Sequence, residues 1–312
     1  MSTLTVVGDF AWDVLIRTNS ELLKGGDTFG EVMLSPGGSA ANVAVWAQRS
    51  GLKTQFIGKI GRDRLGQLAQ EDLKSEGIDS YFIQTNQQRT GSVAIFVDEK
   101  GERSMVSGHG ADFFLLESEL PKELLKSTQH LHLTAWSFFA NPPRAAARAS
   151  AKLAKSNKAG LSFDPSSFQI ISEIGLKKFL NFTTDLGIDI LFPNFQEGQV
   201  LSGLTEPRAI VKKLAELYKG ALIVLKLDAK GALVYENKKF INIAPTDNNL
   251  IDATGAGDSF AGAFLSQYLK GKTAKESAEF ANLIASWVIE QLGARPRIDK
   301  DLEKILASVN KA

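Results

Sequence analysis

The feature that most restricts the fold of this chain is a regular alternation of short apolar runs with segments of helical spacing. Several of the runs are apolar at every position, which is typical of strands covered on both faces and hence of a mostly parallel sheet. The alternation predicts βαβ units and is compatible with a doubly wound open sheet or a closed eight-stranded barrel. The predicted strands are residues 4–7, 55–57, 130–133, 161–163, 188–192 and 221–227. The predicted helices between them are residues 39–49, 65–76, 143–155, 197–201 and 208–219.

Two segments, residues 14–34 and 90–108, depart from this alternation. Each has period-two character with a turn signal inside it, at residues 24–27 and 98–101, which favours antiparallel strands. We predict that the two segments pair into a small second sheet that forms a lid over the site. Two unrelated surface hairpins are the alternative. Further along, the pattern predicts a short strand pair at 233–235 and 240–243, then helices at 257–269, 274–292 and 299–309.

The charge balance and the absence of cysteine narrow the class of ligand. Lys and Arg (36) nearly equal Asp and Glu (35), so no global field attracts nucleic acid or an anionic membrane, and a small molecule is the expected ligand. The chain has no cysteine, which excludes disulfides, thiolate nucleophiles and cysteine metal sites. It shows neither a signal-peptide pattern nor an apolar run approaching the ~20 residues that span a bilayer, so we expect a cytoplasmic protein.

Residues 250–264 form the strongest candidate site. Gly255, Ala256 and Gly257 leave backbone amides bare at a predicted helix start, which is an arrangement that binds anions. Asp258 follows them, and a carboxylate there repels a phosphate unless the chemistry requires it. A base that takes the proton of an attacking hydroxyl during phosphoryl transfer explains the combination. The alternative is a loop with an aspartate stabilised by the helix dipole.

Two further candidates lie near the N-terminus. Gly37 and Gly38 let a ligand approach the backbone, and Asn42 presents an amide one turn into the following helix. A simple turn with an N-cap at Ser39 is the alternative. Asp9 and Asp13 follow the first strand, and we expect them at the carboxyl end of the sheet, where they can accept hydrogen bonds from sugar hydroxyls or act as turn formers.

Asn194 and Glu197 follow a predicted buried strand, three residues apart at a helix start. Their polar ends can face one side, and such oxygen ligands suit Mg²⁺ and its waters. The same spacing also fits a capping box.

The order of these motifs resembles the ribokinase-like (PfkB) sugar kinases over essentially the whole chain. The motifs are G-G-x-x-x-N near residue 40, N-x-x-E after a central strand, and D-x-T-G-A-G-D-x-F-x-G-A-F near residue 255. The resemblance implies one ribokinase-like domain over residues 1–312, with a doubly wound, mostly parallel sheet flanked by helices and a β lid built from 14–34 and 90–108. It favours this architecture over the barrel. Lid-to-lid pairing is common in such kinases, so it also implies a homodimer through the lid.

The resemblance also implies roles for individual residues. Asp258 matches the base that deprotonates the acceptor hydroxyl, and residues 255–257 match the anion hole for the transferring phosphoryl group. Asn194 and Glu197 match the motif that organises Mg²⁺ and phosphate. The positions that match those holding the sugar hydroxyls are Asp13, Gly38 and Asn42.

The family's nucleotide segment usually has the form Thr-Leu-Gly-x-x-Gly. Gly231 fits it, while Lys226 and Asp228 depart from it, and Asn282 resembles the residue beside the adenine of ATP. Many members also bind K⁺ near the anion hole. The positions that match this K⁺ site are Asp252, Thr254 and Gly293, whereas Arg297 stands where small polar residues are common.

The sequence constrains the identity of the phosphoryl acceptor less than it constrains the reaction. Ribokinase proper has an acidic residue on the strand that ends here at residues 133–137, and its absence argues against ribose. Asp164, in a Phe-Asp-Pro sequence, resembles fructokinases and 2-keto-3-deoxygluconate kinases, as do residues 101–104. Arg103 either meets a sugar carboxylate or phosphate or is a solvated lid residue. Trp136 is expected in the core or the pocket wall.

We therefore expect an ATP-dependent kinase of a sugar or sugar acid, with Mg²⁺ and in some conditions K⁺. A nucleoside kinase of the same fold is the alternative enzyme. A catalytically silent sugar or nucleotide sensor is the alternative from another class, although sensing needs no base at Asp258.

Overall fold

The computed structural model describes residues 3–97 and 103–308. The strands are β1 (Thr3–Val7), β2 (Ala11–Thr18), β3 (Gly30–Gly37), β4 (Lys53–Gly61), β5 (Asp79–Thr85), β6 (Gly91–Val97), β7 (Arg103–Ser107), β8 (His130–Thr134), β9 (Gly160–Asp164), β10 (Ile190–Leu191), β11 (Leu222–Lys226), β12 (Ala232–Glu236) and β13 (Lys239–Ile243). The helices are α1 (Ser39–Arg49), α2 (Arg64–Ser75), α3 (Lys122–Ser127), α4 (Trp136–Phe139), α5 (Pro143–Ser156), α6 (Phe168–Ile174), α7 (Leu176–Thr183), α8 (Phe195–Ser202), α9 (Pro207–Leu217), α10 (Ala256–Tyr268), α11 (Ala274–Ile289) and α12 (Lys300–Ser308). Short 3₁₀ segments occur at Ala111–Phe114, Glu117–Glu119 and Asp228–Lys230.

The main sheet is open and mostly parallel, with the order β13-β12-β11-β10-β9-β8-β1-β4-β5. The strands from β11 to β5 are parallel to their neighbours, and β12 and β13 add an antiparallel edge. The two free edges exclude a closed barrel and confirm the predicted doubly wound sheet. The chain runs from β1 to β4 and β5 on one side, then returns to β8 on the other side. Open sheets of this kind bind ligands outside the carboxyl ends of the strands at such a reversal.

The strands are apolar on both faces because each face of the main sheet carries its own hydrophobic core. Leu4 and Val6 of β1 pack into one core with α1, α2, α10, α11 and α12. Val7 points to the opposite face and packs into a second core with α5, α6, α7, α8 and α9. Side chains alternate across a strand, so both faces need apolar residues when helices cover both.

Helices α1 and α10 pack closely because their contact is built from small residues. A Cβ atom on Gly262 would lie 2.6 Å from the carbonyl oxygen of Val43, so a larger residue there would push the helices apart. This contact brings the start of α10 beside the start of α1, which positions Asp258 against Asn42.

The second sheet has the order β3-β2-β6-β7 and confirms the predicted small sheet. Its outer pairs, β2 with β3 and β6 with β7, are antiparallel, and β2 pairs with β6 in parallel. The β2–β6 pairing excludes two unrelated hairpins. The sheet begins at Ala11, earlier than the predicted residue 14, and the predicted turn at 98–101 lies outside the described residues.

Several elements differ from the predicted pattern. Strand β5 at the sheet edge and helices α6 and α7 were not predicted, and β5 lacks a buried apolar run because it is only partly covered. Helix α11 ends at Ile289 rather than at residue 292. No helix in residues 3–97 and 103–308 is long and apolar enough to cross a bilayer.

Strand β8 carries two buried histidines in the centre of the main sheet. The Nδ1 atom of His132 lies 2.8 Å from the Ser162 hydroxyl oxygen. The Nε2 atoms of His130 and His132 are buried, and neither has a hydrogen-bond partner among the described residues. Burial lowers the pKa of His130 to about 4 and that of His132 to about 3. Both imidazoles are therefore neutral in the folded protein near pH 7.

We predict that acid destabilises the fold partly through His132. Its pKa is lower in the folded than in the unfolded chain, where it is about 6.5, so the unfolded chain binds more protons between these values. The contribution of neutral His132 to the free energy of unfolding is complete above about pH 6.5 and is lost as the pH falls towards 3. As the pH falls from 6.5 to 5, the free energy of unfolding should fall less steeply in His132→Gln than in the wild-type protein. The two slopes should differ by up to about 1.4 kcal/mol per pH unit. Urea unfolding at stepped pH measures this slope.

The matched control is His109→Gln, because His109 is exposed. Its slope should equal that of the wild-type protein. Equal slopes in all three proteins would refute the assignment to His132.

Candidate active site

A cavity of about 650 Å³ lies between the carboxyl edge of the main sheet, the small sheet and the first turn of α10. Most of the predicted site residues meet in its wall. Those that line it are Asp13, Gly38, Asn42, Trp136, Asp164, Asn194, Glu197, Lys226, Asp228, Gly231, Thr254, Gly255, Ala256, Gly257, Asp258 and Asn282. Asp252 and Gly293 are not part of this wall, and the side chain of Arg103 lies outside the described residues.

The anion-binding loop has the conformation that its glycines predict. Gly255 has φ 75°, in the left-handed region, and α10 begins at the next residue. A Cβ atom on Gly255 would also lie 2.6 Å from the side chain of Ala294, so only glycine fits there. The first amides of a helix have no partner within the helix and carry partial positive charge. The Ala256 amide donates to the Ala253 carbonyl oxygen at 3.3 Å, so the amides of Gly255 and Gly257 are the candidates for binding a phosphoryl group.

Asp258 lies in the first turn of α10, directly beside these amides. Its Oδ2 atom accepts a hydrogen bond of 2.8 Å from the Asn42 side-chain amide. Burial raises the pKa of Asp258 to about 7, and the bond from Asn42 opposes that rise. A carboxyl group with this pKa is suited to accept a proton near neutral pH.

Arg295 fixes the orientation of the Asn42 amide. Its Nε atom donates to Asn42 Oδ1 at 2.7 Å, which leaves the Asn42 nitrogen facing Asp258. Its two terminal nitrogens donate to the Gly37 carbonyl at 2.8 Å and to Asp72 Oδ2 at 2.6 Å. Arg295 stands in no recognisable motif, because no local pattern links it to residues so distant in the chain.

Two aspartates occupy the other end of the cavity, and the structure corrects the position of one. Asp9 follows β1 at the carboxyl edge, as predicted, and accepts hydrogen bonds from the Ala40 amide and the Thr134 hydroxyl, both at 3.2 Å. Asp13 instead lies within β2 of the small sheet, because that sheet starts at Ala11. Its carboxylate packs against Gly37, where a Cβ atom would collide with it. Burial raises the pKa of Asp13 to about 6.

Lys226 lies at the end of β11 and pairs with a buried carboxylate at the end of β9. Its Nζ atom is 2.7 Å from Asp164 Oδ2. A Cβ atom on Gly257 would lie only 3.0 Å from the same Nζ atom, so the ammonium group is next to the anion-binding loop. Burial by itself would lower the pKa of Lys226, but Asp164 and Glu197 raise it, so the group is charged.

Asn194 and Glu197 form a capping box at the start of α8. The Glu197 amide donates to Asn194 Oδ1, and the Asn194 amide donates to Glu197 Oε2, both at 2.8 Å. The predicted cap is thus present, and both side chains also line the cavity. Burial and the nearby Asp164 raise the pKa of Glu197 to about 8.

The residues predicted for the nucleotide and for the cation have the following positions. Gly231 has φ 80° and lines the cavity, and Asn282, also in its wall, donates to the Thr246 hydroxyl at 2.7 Å. Asp252 connects the other two residues of the predicted K⁺ site. Its Oδ1 atom accepts from the Thr254 hydroxyl at 2.7 Å, and its Oδ2 atom accepts from the Gly293 amide at 2.9 Å.

The cavity wall is strongly acidic. Among the described residues that line it, Lys226 is the one Lys or Arg side chain. The carboxyl groups that line it are those of Asp9, Asp13, Asp112, Asp164, Glu197, Asp228 and Asp258. Asp112 is a lining residue that the sequence analysis missed, because it lies in a short 3₁₀ segment without a motif.

Comparison with known proteins places this architecture in one family. A model of the pfkB family carbohydrate kinases matches residues 1–301. The fructokinase of Escherichia coli is 31% identical over 265 residues, which cover 83% of this chain and 82% of that protein. The solved structure of adenosine kinase from Sinorhizobium meliloti superposes with a TM-score of 0.87, at 23% identity, covering 99% of this chain and 98% of the other.

A second solved structure is that of a putative ribokinase II from E. coli in complex with ATP and Mg²⁺. It superposes with a TM-score of 0.85 at 22% identity and covers both chains completely, at 100% of each. These two structures share the fold of the present chain, and the family match extends over nearly all of its length. The chain belongs to the pfkB family of carbohydrate kinases.

Proposed function

We propose that this protein is an ATP-dependent kinase that transfers the γ-phosphoryl group to a hydroxyl of a sugar or sugar acid, with Asp258 as the general base. The observation that carries the proposal is the position of Asp258 in the first turn of α10, beside the backbone amides of Gly255 and Gly257. A base and an anion site side by side are what phosphoryl transfer to an alcohol requires.

Different residues of the cavity have different roles in the proposed reaction. The acceptor oxygen attacks the γ-phosphorus, its proton passes to the Asp258 carboxylate, the bond to the bridging oxygen breaks, and ADP leaves. Asp13, Gly38 and Asn42 hold the acceptor hydroxyls, with Trp136 and Asp164 in the wall beside them. Gly231, Asp228 and Asn282 hold the nucleotide, and Lys226 neutralises phosphate charge next to the loop. Positioning and charge neutralisation account for most of such catalysis.

Asn194 and Glu197 fit a magnesium–nucleotide site. Burial and the charge of Asp164 raise the pKa of Glu197, so a cation at this point would favour its charged carboxylate. Mg²⁺ in phosphotransferases is usually held by one or two carboxylates together with waters and phosphates. When bound, Mg²⁺ neutralises phosphate charge and orients the phosphoryl group. We therefore assign its positioning to these two side chains.

The segments that Asp252 joins, at Thr254 and Gly293, fit a site for a monovalent cation. Asp252 accepts hydrogen bonds from the Thr254 hydroxyl and the Gly293 amide, so the three predicted residues are joined next to residues 255–257. We propose that K⁺ binds there and supports the loop conformation.

The small sheet fits the role of a lid and of a dimer surface. The small sheet forms part of the cavity wall through Val93, Ile95 and Met105. Closure of this sheet over the cavity would exclude water from the reacting phosphate. Phe29 and Val32 expose 83% and 70% of their surface, and a patch of such residues is typical of a protein interface. We propose a homodimer in which the small sheets of two copies cover each other.

We predict that Asp258→Asn abolishes turnover while the fold is retained. A panel of sugars, sugar acids and nucleosides is tested for ADP release with Mg²⁺ and ATP. The kcat for the accepted compound should fall by about 10²–10⁴-fold, because the acceptor proton loses its base. Asp247→Asn is the control, since Asp247 is an exposed aspartate outside the cavity wall. Ligand-induced thermal shifts without turnover on any compound would instead favour a sensor.

We predict an acidic limb in the rate profile with a midpoint near pH 7. The pKa of Asp258 is raised from its ordinary 3.8 to about 7, so the base form is lost as the pH falls below 7. The kcat/KM should fall about tenfold per pH unit below the midpoint. In Asn42→Ala the midpoint should move upwards, because the hydrogen bond that favours the charged carboxylate is gone. A limb centred below pH 5 would contradict this assignment.

We predict that Lys226 contributes to phosphate binding beyond its pairing with Asp164. Removing one member of a buried ion pair is destabilising in itself, so the comparison starts from Asp164→Asn, where the pair is already broken. In that background, Lys226→Met should lower kcat/KM for ATP by a further factor of about 10 or more, which is the effect expected from the loss of one charged contact with phosphate. Lys230→Met, at an exposed position nearby, is the control. An unchanged kcat/KM in the double variant would restrict Lys226 to a structural role.

A further inference from the structure

Asp112 is a titratable cavity residue that the proposed reaction does not use. It lies in the 3₁₀ segment Ala111–Phe114, just after the small sheet. Its Oδ1 atom is buried and has no hydrogen-bond partner among the described residues. A buried carboxyl oxygen without a partner costs about 1–3 kcal/mol, so a partner from outside the chain would be stabilising.

The surroundings of this oxygen leave no room for a partner side chain on the side of the small sheet. A Cβ atom on Gly91 would lie 2.9 Å from Oδ1, and one on Gly110 would lie 2.8 Å from it. Backbone at two glycines thus packs directly against the carboxyl group. Asp112 as a residue also lines both the main cavity and a side cavity of about 10 Å³. The side cavity is about the size of one water molecule.

The main and side cavities share Asp9, Asp112 and Trp136 in their walls. Burial and the charge of Asp9 raise the pKa of Asp112 to about 8, so the group is protonated at neutral pH. A protonated carboxyl group offers one donor and one acceptor, which is the complement of an alcohol. An anion at this end would lie against the acidic groups of Asp9 and Asp13. The nearby cation among the described residues, Arg295, is paired with Asp72 and does not line the wall, and Lys226 is paired with Asp164.

We propose that Asp112 is a specificity-determining residue that hydrogen-bonds a hydroxyl group of the acceptor, so that this end of the cavity admits uncharged polyhydroxylated acceptors and rejects those with a carboxylate or phosphate there. This inference rests on the proposed function and narrows it from sugars and sugar acids to uncharged sugars. Asp112 acts on acceptor binding and leaves the base and the nucleotide site unchanged.

The test compares wild-type protein with Asp112→Ala and Asp112→Asn on D-fructose, D-ribose, adenosine, 2-keto-3-deoxygluconate and fructose 6-phosphate. Both acceptor binding, by calorimetry, and kcat/KM are measured. The wild-type protein should prefer an uncharged compound. Asp112→Ala should weaken its binding about 10- to 100-fold through KM, with the KM for ATP unchanged. Asp112→Asn retains a donor and an acceptor and should lose less than Asp112→Ala. Glu117→Gln, at an exposed acid close by, should behave as wild type.

Monodeoxy analogues of the accepted sugar identify the contact itself. One analogue should lack the hydroxyl that Asp112 contacts. The wild-type protein should bind the parent sugar at least tenfold more tightly than this analogue, and Asp112→Ala should bind the parent sugar and this analogue equally. A structural role for Asp112 would weaken all analogues alike and would overturn the proposal. Preference of the wild-type protein for the sugar acid or the sugar phosphate would also overturn it, as would the absence of binding of every uncharged compound.

The calorimetric readout separates this inference from the proposed function. Binding that is selective and depends on Asp112, but without ADP release, would contradict the kinase proposal and support the role of Asp112. Turnover with acceptor binding that is the same in Asp112→Ala and Glu117→Gln would support the kinase proposal and refute the role of Asp112.

Discussion

One buried guanidinium connects the parts of the chain that must meet at the site. Arg295 holds the Asn42 amide in α1, the Gly37 carbonyl at the end of β3 and the Asp72 carboxylate in α2. Hydrogen bonds to charged groups contribute about 1.5–3 kcal/mol each, and a planar fork with several donors is required to reach all three. Asn42 then has one orientation, and its nitrogen faces Asp258. The geometry of the candidate base therefore depends on a residue that does not line the cavity.

The second constraint is the crowding of acidic groups around the cavity. Burial raises the pKa of Asp13, Asp258 and Glu197, so part of their charge is suppressed in the free protein. Lys226 and the amides of the α10 terminus supply the positive potential at the centre. In the proposed reaction, a nucleotide with its metal ion would bring both signs of charge to this wall, whose charged groups are already in position. Near Asp13 the positive charge comes from Arg295, which lies behind the wall and is paired with Asp72.

The sequence predicted the parts of this structure that depend on local pattern. The strands β1, β8, β9 and β11 were found because both of their faces are buried, and the loop at Gly255 was found because its conformation requires glycine. Strand β5 was missed since one of its faces is partly exposed and carries polar residues. Asp13 was placed in the wrong sheet because the local pattern does not mark where β1 ends and the small sheet begins. Arg295 and Asp112 were missed because their roles come from contacts between distant segments, and these leave no periodicity in the sequence.

The parallel pairing of β2 with β6 has a consequence for how the protein folds. Ala11 pairs with Gly91, so the central ladder of the small sheet joins strands roughly 80 residues apart in the chain. After β3, which pairs with β2, the segment between them contains β4 and β5 of the main sheet and the helices α1 and α2. Closing so long a loop carries a large entropic cost until the intervening elements are in place. The pairing of β2 with β6 is therefore expected to form late, after the first half of the main sheet, and the cavity wall beside Asp13 is completed only then.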